Sequence, residues 1–356
     1  MRGNPVAYMM ARRFAGPHVS NIYEVAKRAG VSPSTVSRVL SQPAVVSAKT
    51  RTRVLRAVDV LGYTPNSTAK NLRTARTGKL LVTVPDISNP FFSLILQGIE
   101  DAAQREEYAV LLGDTQHDER REQRYALMLS RKEADGLIFL GHRLPEAAQA
   151  RITSAAPRCA PVVNGCEFNP RLGVPSVHID NAGAAADAMS LLYDLGHRRI
   201  AVVSGPLVSP LSRDRLRGAS QVAKTRGGDD LIVIGGDFTV ESGAEAAARL
   251  LAGPARPTAI CCFNDEMAMG VLDYARRTGV RVPEDVSVVG FDDIRFARYT
   301  YPPLTTIAQP MREIGEGTVK LLLSILADDS VPPPSITLPH RLVVRATTAP
   351  PPTQSA

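Results

Sequence analysis

From Lys79 onward short apolar runs alternate with longer amphipathic stretches, and no other feature of the sequence narrows the possible folds as much. The runs fall at 80–85, 109–113, 136–140, 161–164, 199–204, 231–235, 258–263 and 286–290. Between most of them lie stretches of roughly 12–18 residues with helical apolar spacing. An apolar run followed by an amphipathic helix is a β-α-β unit, and such units build parallel sheets. Eight or more strands exceed one comfortable sheet, so two similar lobes are expected. His178–Asn181 reads as one crossover between the lobes, and Leu304–Gln309 as a second that returns the chain.

Ahead of this stretch, residues 21–76 have a helical texture. Ile22, Val25, Ala26 and Ala29 recur at helical spacing, and Gly30 ends that helix. Ser32 suits an N-cap and Pro33 a first helical turn, with Val36, Val39 and Leu40 as the buried face. A third helix is predicted from a Ser47 cap through Val54, Leu55, Val58 and Leu61 to Gly62. Pro65 then opens a short polar helix over 66–73. Two short helices packed at a steep angle need a tight turn, which Gly30 and Ser32 supply. The second helix presents Pro33, Ser34 and Arg38 away from its apolar face. An arginine there can make a bidentate contact to guanine, and Ser34 is short enough for a base edge or a phosphate. Thr35 and Ser37 are better placed for phosphate oxygens.

Charge supports a nucleic-acid partner for this head. Residues 1–80 carry 14 Lys/Arg against two acids, Glu24 and Asp59, which puts about −5 on the rest of a +7 chain. The cysteines, Cys159, Cys166, Cys261 and Cys262, form no C-x-x-C pair and have no histidine cluster beside them. They are expected to be reduced thiols, and no metal or cofactor is expected. No signal peptide is legible in the first 20 residues, and no run approaches the length of a membrane span. A cytoplasmic protein is therefore expected, with Met9 or Met10 as alternative starts to Met1.

The segment Ile22–Leu40 and its continuation to Arg76 resemble the DNA-binding signature of the lactose and purine repressor (LacI) family. Several further stretches share the resemblance: Val84-Pro-Asp-Ile-Ser-Asn-Pro-Phe-Phe92, Gly196-His-Arg-Arg-Ile200, Phe263-Asn-Asp-Glu-Met-Ala-Met-Gly270, Val282–Asp292 and Pro303-Leu-Thr-Thr-Ile307. It implies a helix-turn-helix three-helix head, a hinge helix, and an α/β two-lobe body like a periplasmic binding protein, with doubly wound parallel sheets. The domains would be an extension at 1–20, expected to be disordered, a DNA-binding domain at 21–64, and a hinge with linker at 65–77. An effector-binding domain would follow at 78–345, with lobe one at 78–180 and 309–340 and lobe two at 181–308 and 341–345. A disordered tail is expected at 346–356. The DNA-reading set would be Tyr23, Ser32, Pro33, Ser34, Thr35, Ser37 and Arg38, joined in the hinge by Asn66, Ala69, Lys70 and Leu72. Leu72 would be a minor-groove wedge, since an apolar side chain there unstacks a flexible base step.

The resemblance also implies a ligand between the lobes. Phe91 and Phe92 would supply an aromatic wall of the cleft, with a place in the core as the lesser alternative. Arg215 would reach a ligand oxygen, or else form a surface salt bridge. Phe238 would stack on the opposite side, and Asn264 and Asp292 would hydrogen-bond hydroxyls. Asp180 would bind a hydroxyl or brace the hinge. Polar groups between aromatic faces suit a neutral hydroxylated ring, such as a sugar or nucleoside. Leu140–Pro145, Glu167-Phe168, Val174–Asn181 and Gly236–Gly243 look like the cytidine-responsive branch, which implies a nucleoside effector. No phosphate loop and no nucleophile elbow occurs, so no enzyme is expected. The expected protein is a homodimeric repressor on near-palindromic operator DNA, with its affinity set by the effector. The alternatives are a solute-binding protein without regulatory role and a regulator that needs its ligand as corepressor.

Overall fold

A computed structural model describes residues 21–64, 76–155, 160–227, 231–253, 256–328 and 330–352. The chain divides into two compact units, with the boundary after Arg76.

In the first unit, α1 (Ile22–Ala29) begins with a capping box. Asn21 Oδ1 accepts from the N–H groups of Tyr23 and Glu24, and the Glu24 carboxylate returns to the Asn21 N–H. It ends at Gly30 in the left-handed region, φ 61°. Ser32 Oγ then accepts from Thr35 N–H and starts α2 (Pro33–Ser41), as the sequence predicts. Ser47 caps α3 (Ala48–Leu61), which closes at Gly62. Val25, Ala26, Ala29, Val36, Val39, Val54 and Ala57 form the core. Leu55, one of the apolar residues of this helix, is 43% exposed. The buried stripe of α3 runs 54, 57, 58 and 61, the spacing that one helix face requires, and Leu55 falls beside it.

The second unit contains two six-stranded sheets. Lobe one comprises β1 (Lys79–Val84), α4 (Pro90–Arg105), β2 (Ala109–Asp114), α5 (Glu119–Ser130), β3 (Gly136–Phe139), α6 (Glu146–Ala155), β4 (Val162–Gly165) and β5 (Ser176–Ile179). Lobe two continues with α7 (Asn181–Asp194), β6 (Ile200–Ser204), α8 (Pro210–Thr225), β7 (Ile232–Gly235), α9 (Val240–Leu251), β8 (Ala259–Cys262), α10 (Asp265–Thr278), β9 (Ser287–Asp292) and β10 (Thr305–Ala308). The chain then returns through α11 (Met311–Ala327) and β11 (Ile336–Leu338) to lobe one, and crosses again to β12 (Arg341–Val343). The strand orders are β11-β5-β4-β3-β1-β2 and β12-β10-β9-β8-β6-β7, all parallel except β12 against β10. These are two copies of one doubly wound plan, and every expected strand is present.

Four strands were not foreseen as strands. The two expected crossovers are largely β5 and β10, with the crossings themselves at Asp180 and at Gln309–Pro310. Each strand has only four residues and merges in sequence with the loop it feeds. The third crossing lies between β11 and β12, where His340 Nε2 stands 2.9 Å from Asp187 Oδ2. The expected disordered tail is also corrected for residues 346–351. Thr347 is fully buried; its carbonyl accepts from Val288 N–H, and its hydroxyl donates to Val288 O. Ala349 exchanges bonds with the Ser287 hydroxyl, and His197 Nε2 meets its carbonyl at 2.9 Å. Proline suits an extended segment beside a strand when alternate residues make the bonds.

Three helix pairs approach closely through glycine. A Cβ on Gly98 of α4 would collide with Arg312 O of α11, one on Gly218 of α8 with Ala182 O of α7, and one on Gly270 of α10 with Val240 O of α9. These contacts hold the helices tightly across each sheet and fix the strand ends that face the cleft.

Candidate functional site

In the first unit, Ser34 and Arg38 lie one turn apart on the exposed side of α2, opposite buried Val36 and Val39. Tyr23, on α1, is 70% exposed. Ser32 Oγ lies 2.8 Å from Ser34 Oγ and 2.9 Å from Thr35 Oγ1, so the cap also orders the hydroxyls of the first turn. Pro33 starts the helix, and the Ser37 carbonyl accepts from Ser41 Oγ. Helix α3 adds Lys49, Arg51, Arg53 and Arg56 to this basic unit. Asn66, Ala69, Lys70 and Leu72 lie outside the described residues.

In the body, the residues of interest gather where strands end. Parallel doubly wound sheets place ligands beyond the carboxyl ends of their strands, at the point where the order reverses. Here β1 leads to Phe91 and Phe92, β4 to Cys166 and Glu167, β6 to Ser209, β8 to Asn264, and β9 ends at Asp292.

Arg215, on α8, is the centre of the cluster and is only 4% exposed. Its Nε donates to Asn181 Oδ1 at 2.8 Å, and Nη1 donates to the Phe263 carbonyl. The guanidinium lies over the Phe291 ring, 3.6 Å from its centre, and Nη2 is 4.0 Å from Asp292 Oδ1. Burial lowers its pKa to about 10, while Asp292 and Glu167 oppose the shift, so the group stays charged at neutral pH. A buried cation held by these partners is not a surface salt bridge.

Asp292 has φ 118°, a rare conformation for a residue with a side chain, and its Oδ1 accepts from Gln309 Nε2 at 2.7 Å. Burial pushes its carboxyl up to about 7 against the opposing pull of Arg215 and Gln309. Asp293, the first residue past β9 and itself at φ 56°, turns instead to Arg345 at 2.6 Å, so the two carboxylates have different partners. Beneath them, sealed Asp265 accepts from Thr306 Oγ1 and from Ile294 N–H, and burial together with Asp292 holds its carboxyl far above the usual range.

Asn264 caps α10 through Oδ1 and donates from Nδ2 to the Phe238 carbonyl at 2.8 Å. This bond secures Phe238 at φ 73°, and the far end of its ring lies against Gly205, where any Cβ would collide. Arg215, Asp292, Asn264 and Phe238 are therefore brought together through the Phe263-Asn264 backbone and the strand ends. Phe91 and Phe92 pack edge to face, 5.2 Å apart, each 9% exposed. They belong to the lobe-one core, but that cluster also takes in Cys166 and, from lobe two, Ile294 and Met269. Both are core residues at the lobe junction. Asp180 stands apart: it is exposed, and its Oδ1 caps α7 at Ala182 and Gly183. Of its two sequence readings, bracing is the one this geometry supports.

Sequence reasoning passed over Asn181, Ser209 and Gln309, and it used Glu167 only as part of a stretch. Glu167 and Ser209 bond across the lobe boundary at 3.2 Å. Nothing local marks such residues; an acid between two apolar runs was the available signal. Cys166, Cys261 and Cys262 are free and buried, and Cys159 lies outside the described residues. Among the described residues no helix is long and apolar enough to cross a membrane.

Comparison with known proteins gives two family matches: "Bacterial regulatory proteins, lacI family" over residues 21–66 and "Periplasmic binding protein-like domain" over residues 189–348. The chain is 42% identical over 327 residues to the HTH-type transcriptional repressor CytR of Escherichia coli K12, covering 91% of this chain and 95% of the relative. It is 36% identical over 330 residues to catabolite control protein A of Priestia megaterium, covering 92% and 98%. The lac repressor dimer bound to operator and the anti-inducer ONPF matches with a TM-score of 0.83 and 29% identity, over 93% of this chain and 99% of that one. A ribose-bound LacI family regulator from Enterococcus faecium matches with a TM-score of 0.68 and 29% identity, over 76% and 99%.

Proposed function

The chain belongs to the lacI family of bacterial regulatory proteins, and from that premise we propose that its cleft takes a nucleoside, cytidine foremost, which lowers the grip of its head on operator DNA. The protein is a DNA-binding transcriptional repressor with a ligand-binding body, whose partners are operator DNA, a small-molecule effector and a second copy of itself.

The observation that carries the ligand reading is the buried Arg215–Asp292–Asn264 group beside the Phe238 ring. A charged and amide-bearing wall next to an aromatic face suits a hydroxylated ring bearing a flat base. Likeness to a relative named CytR favours the nucleoside. The ribose-bound neighbour and the catabolite control relative favour a sugar as the second reading. Both ligands are bound without any catalytic step. A thermal-shift screen with cytidine, adenosine, ribose and cellobiose tests the choice. Stabilisation by the nucleosides supports the reading, and stabilisation by ribose or cellobiose alone replaces it with the sugar.

On the DNA side, Arg38 and Ser34 read bases in the major groove, while Tyr23, Thr35 and Ser37 hold the backbone. Ser32 and Pro33 set the pitch of that helix. Leu72 wedges the minor groove from a hinge helix that includes Asn66, Ala69 and Lys70. Two-fold symmetry pairs two heads with a near-palindromic operator in the cytoplasm. Effector binding reorients the lobes and the dimer contact and so weakens the hold of the two heads on DNA.

A further inference from the structure

The Glu167 carboxyl is anchored through one oxygen and buried without a partner at the other. It lies on the loop after β4, 5% exposed, and Oε1 accepts from Ser209 Oγ at 3.2 Å across the lobe boundary. Ser209 precedes α8, yet its hydroxyl makes no bond to the helix end. Among the described residues, five buried side-chain atoms lack a hydrogen-bond partner, and three belong to this region. They are Glu167 Oε2, Ser212 Oγ one turn along α8 from Ser209, and Ser204 Oγ at the end of β6. Buried polar atoms left unmet are costly, and Glu167 Oε2, beside the bond to Ser209 that joins the two lobes, is such an atom with room in its chemistry for the polar edge of a ligand.

The surroundings decide the state of the carboxyl. Arg213, Asp214 and Arg215 of α8 face it, Cys166 precedes it on its own loop, and Asp292 of β9 acts on both Cys166 and Arg215. Burial outweighs Ser209 and the two arginines and pushes the carboxyl up to about 8.

We propose that Glu167 is a recognition residue of the cleft: with Oε1 taken by Ser209, its Oε2 carries a proton and donates to a hydrogen-bond acceptor on the effector. In the nucleoside reading, on which this inference rests, that acceptor is a ring nitrogen or a carbonyl oxygen of the base. A neutral carboxyl accepts through its carbonyl oxygen and donates through its hydroxyl, which matches the one oxygen that accepts from Ser209 and the one left without a partner. A ligand N–H at the same place would need the ionised group, and its affinity would depend on pH with the opposite sign.

Calorimetric titration of the full chain with cytidine between pH 6 and pH 9 separates these cases. Expected, relative to Glu167→Gln, is a loss of about tenfold between pH 7 and pH 9, where roughly one carboxyl in ten keeps its proton; the comparison cancels Asp292, whose carboxyl is raised to about 7 in both proteins. Glu167→Ala should bind cytidine at least about tenfold more weakly at pH 7, the size of one lost contact to a buried polar group. Glu167→Gln, with an amide N–H in the same place and no titration there, should rescue that loss and lack the fall in affinity that Glu167 causes above pH 7. A wild-type profile parallel to that of Glu167→Gln, a wild-type affinity that rises with pH relative to Glu167→Gln, or a Glu167→Gln variant as weak as Glu167→Ala overturns the inference alone. Absence of cytidine binding by the wild type at every pH overturns the nucleoside reading and this inference with it.

Discussion

Arg38 and Arg215 are the same residue type in opposite surroundings. Arg38 is exposed on a helix capped by Ser32, free to reach a base edge, whereas Arg215 is buried between Asn181, the Phe263 carbonyl and Phe291. Replacing Arg38 by Ala should weaken operator binding by about 1–3 kcal/mol and relax preference at one base pair. Competition with operators altered one base at a time is the check, and equal weakening on all of them would remove the base-reading role. The buried carboxyls give a second prediction at this scale. Asp292 is raised to about 7 from 3.8 and Glu167 to about 8 from 4.5, so the folded body holds protons that the unfolded chain releases. Their contribution is full below the unfolded values and is lost as pH rises through the folded ones. The unfolding midpoint of the ligand-free protein should therefore fall between pH 5 and pH 8, with each group adding at most about 1.4 kcal/mol per pH unit. Melting curves of the wild type and of Asp292→Asn test this: the variant should show a shallower slope, and a wild-type midpoint that climbs with pH would be incompatible. Arg215, Asn264, Phe238 and Asp292 were named only through the family resemblance, and the structure brings them together near the ends of the lobe-two strands. Ser209, Gln309 and Asn181 were not legible, because their roles come from partners distant in the chain.

At the scale of elements, periodicity gave away the long helices and the strands buried on both faces. It failed for β5, β10, β11 and β12, which have three or four residues each and are too short to show a period. The Pro-rich end misled in the other direction. Composition suggested a tail, but Thr347 and Ala349 bond to β9 through backbone groups that composition does not reveal. Close helix approach was equally hidden, since a glycine inside a helix reads as a weak point until its neighbour is known. Gly270→Ala would drive a methyl into the Val240 carbonyl between α9 and α10. The expected cost is about 1–3 kcal/mol of stability from overpacking. Denaturant unfolding of the variant measures it, and an unchanged midpoint would mean that the two helices part at no cost.

For the whole molecule, the essential relation is between a cleft in one compact unit and a DNA-reading face in the other. Linkage sets its size: an effector changes operator affinity only by the ratio of its affinities for the two states of the repressor, typically about 5- to 150-fold. The cleft residues supply that difference if they close on the ligand, because Glu167 and Ser209 belong to different lobes and Arg215 ties α8 to Asn181 at the first crossing. The most direct test is titration of the full chain onto its operator with and without saturating cytidine. The account predicts operator affinity lower by at least about fivefold with cytidine, and no such change in a protein carrying Arg215→Met. Cytidine that binds and stabilises the protein while leaving operator affinity unchanged would contradict it.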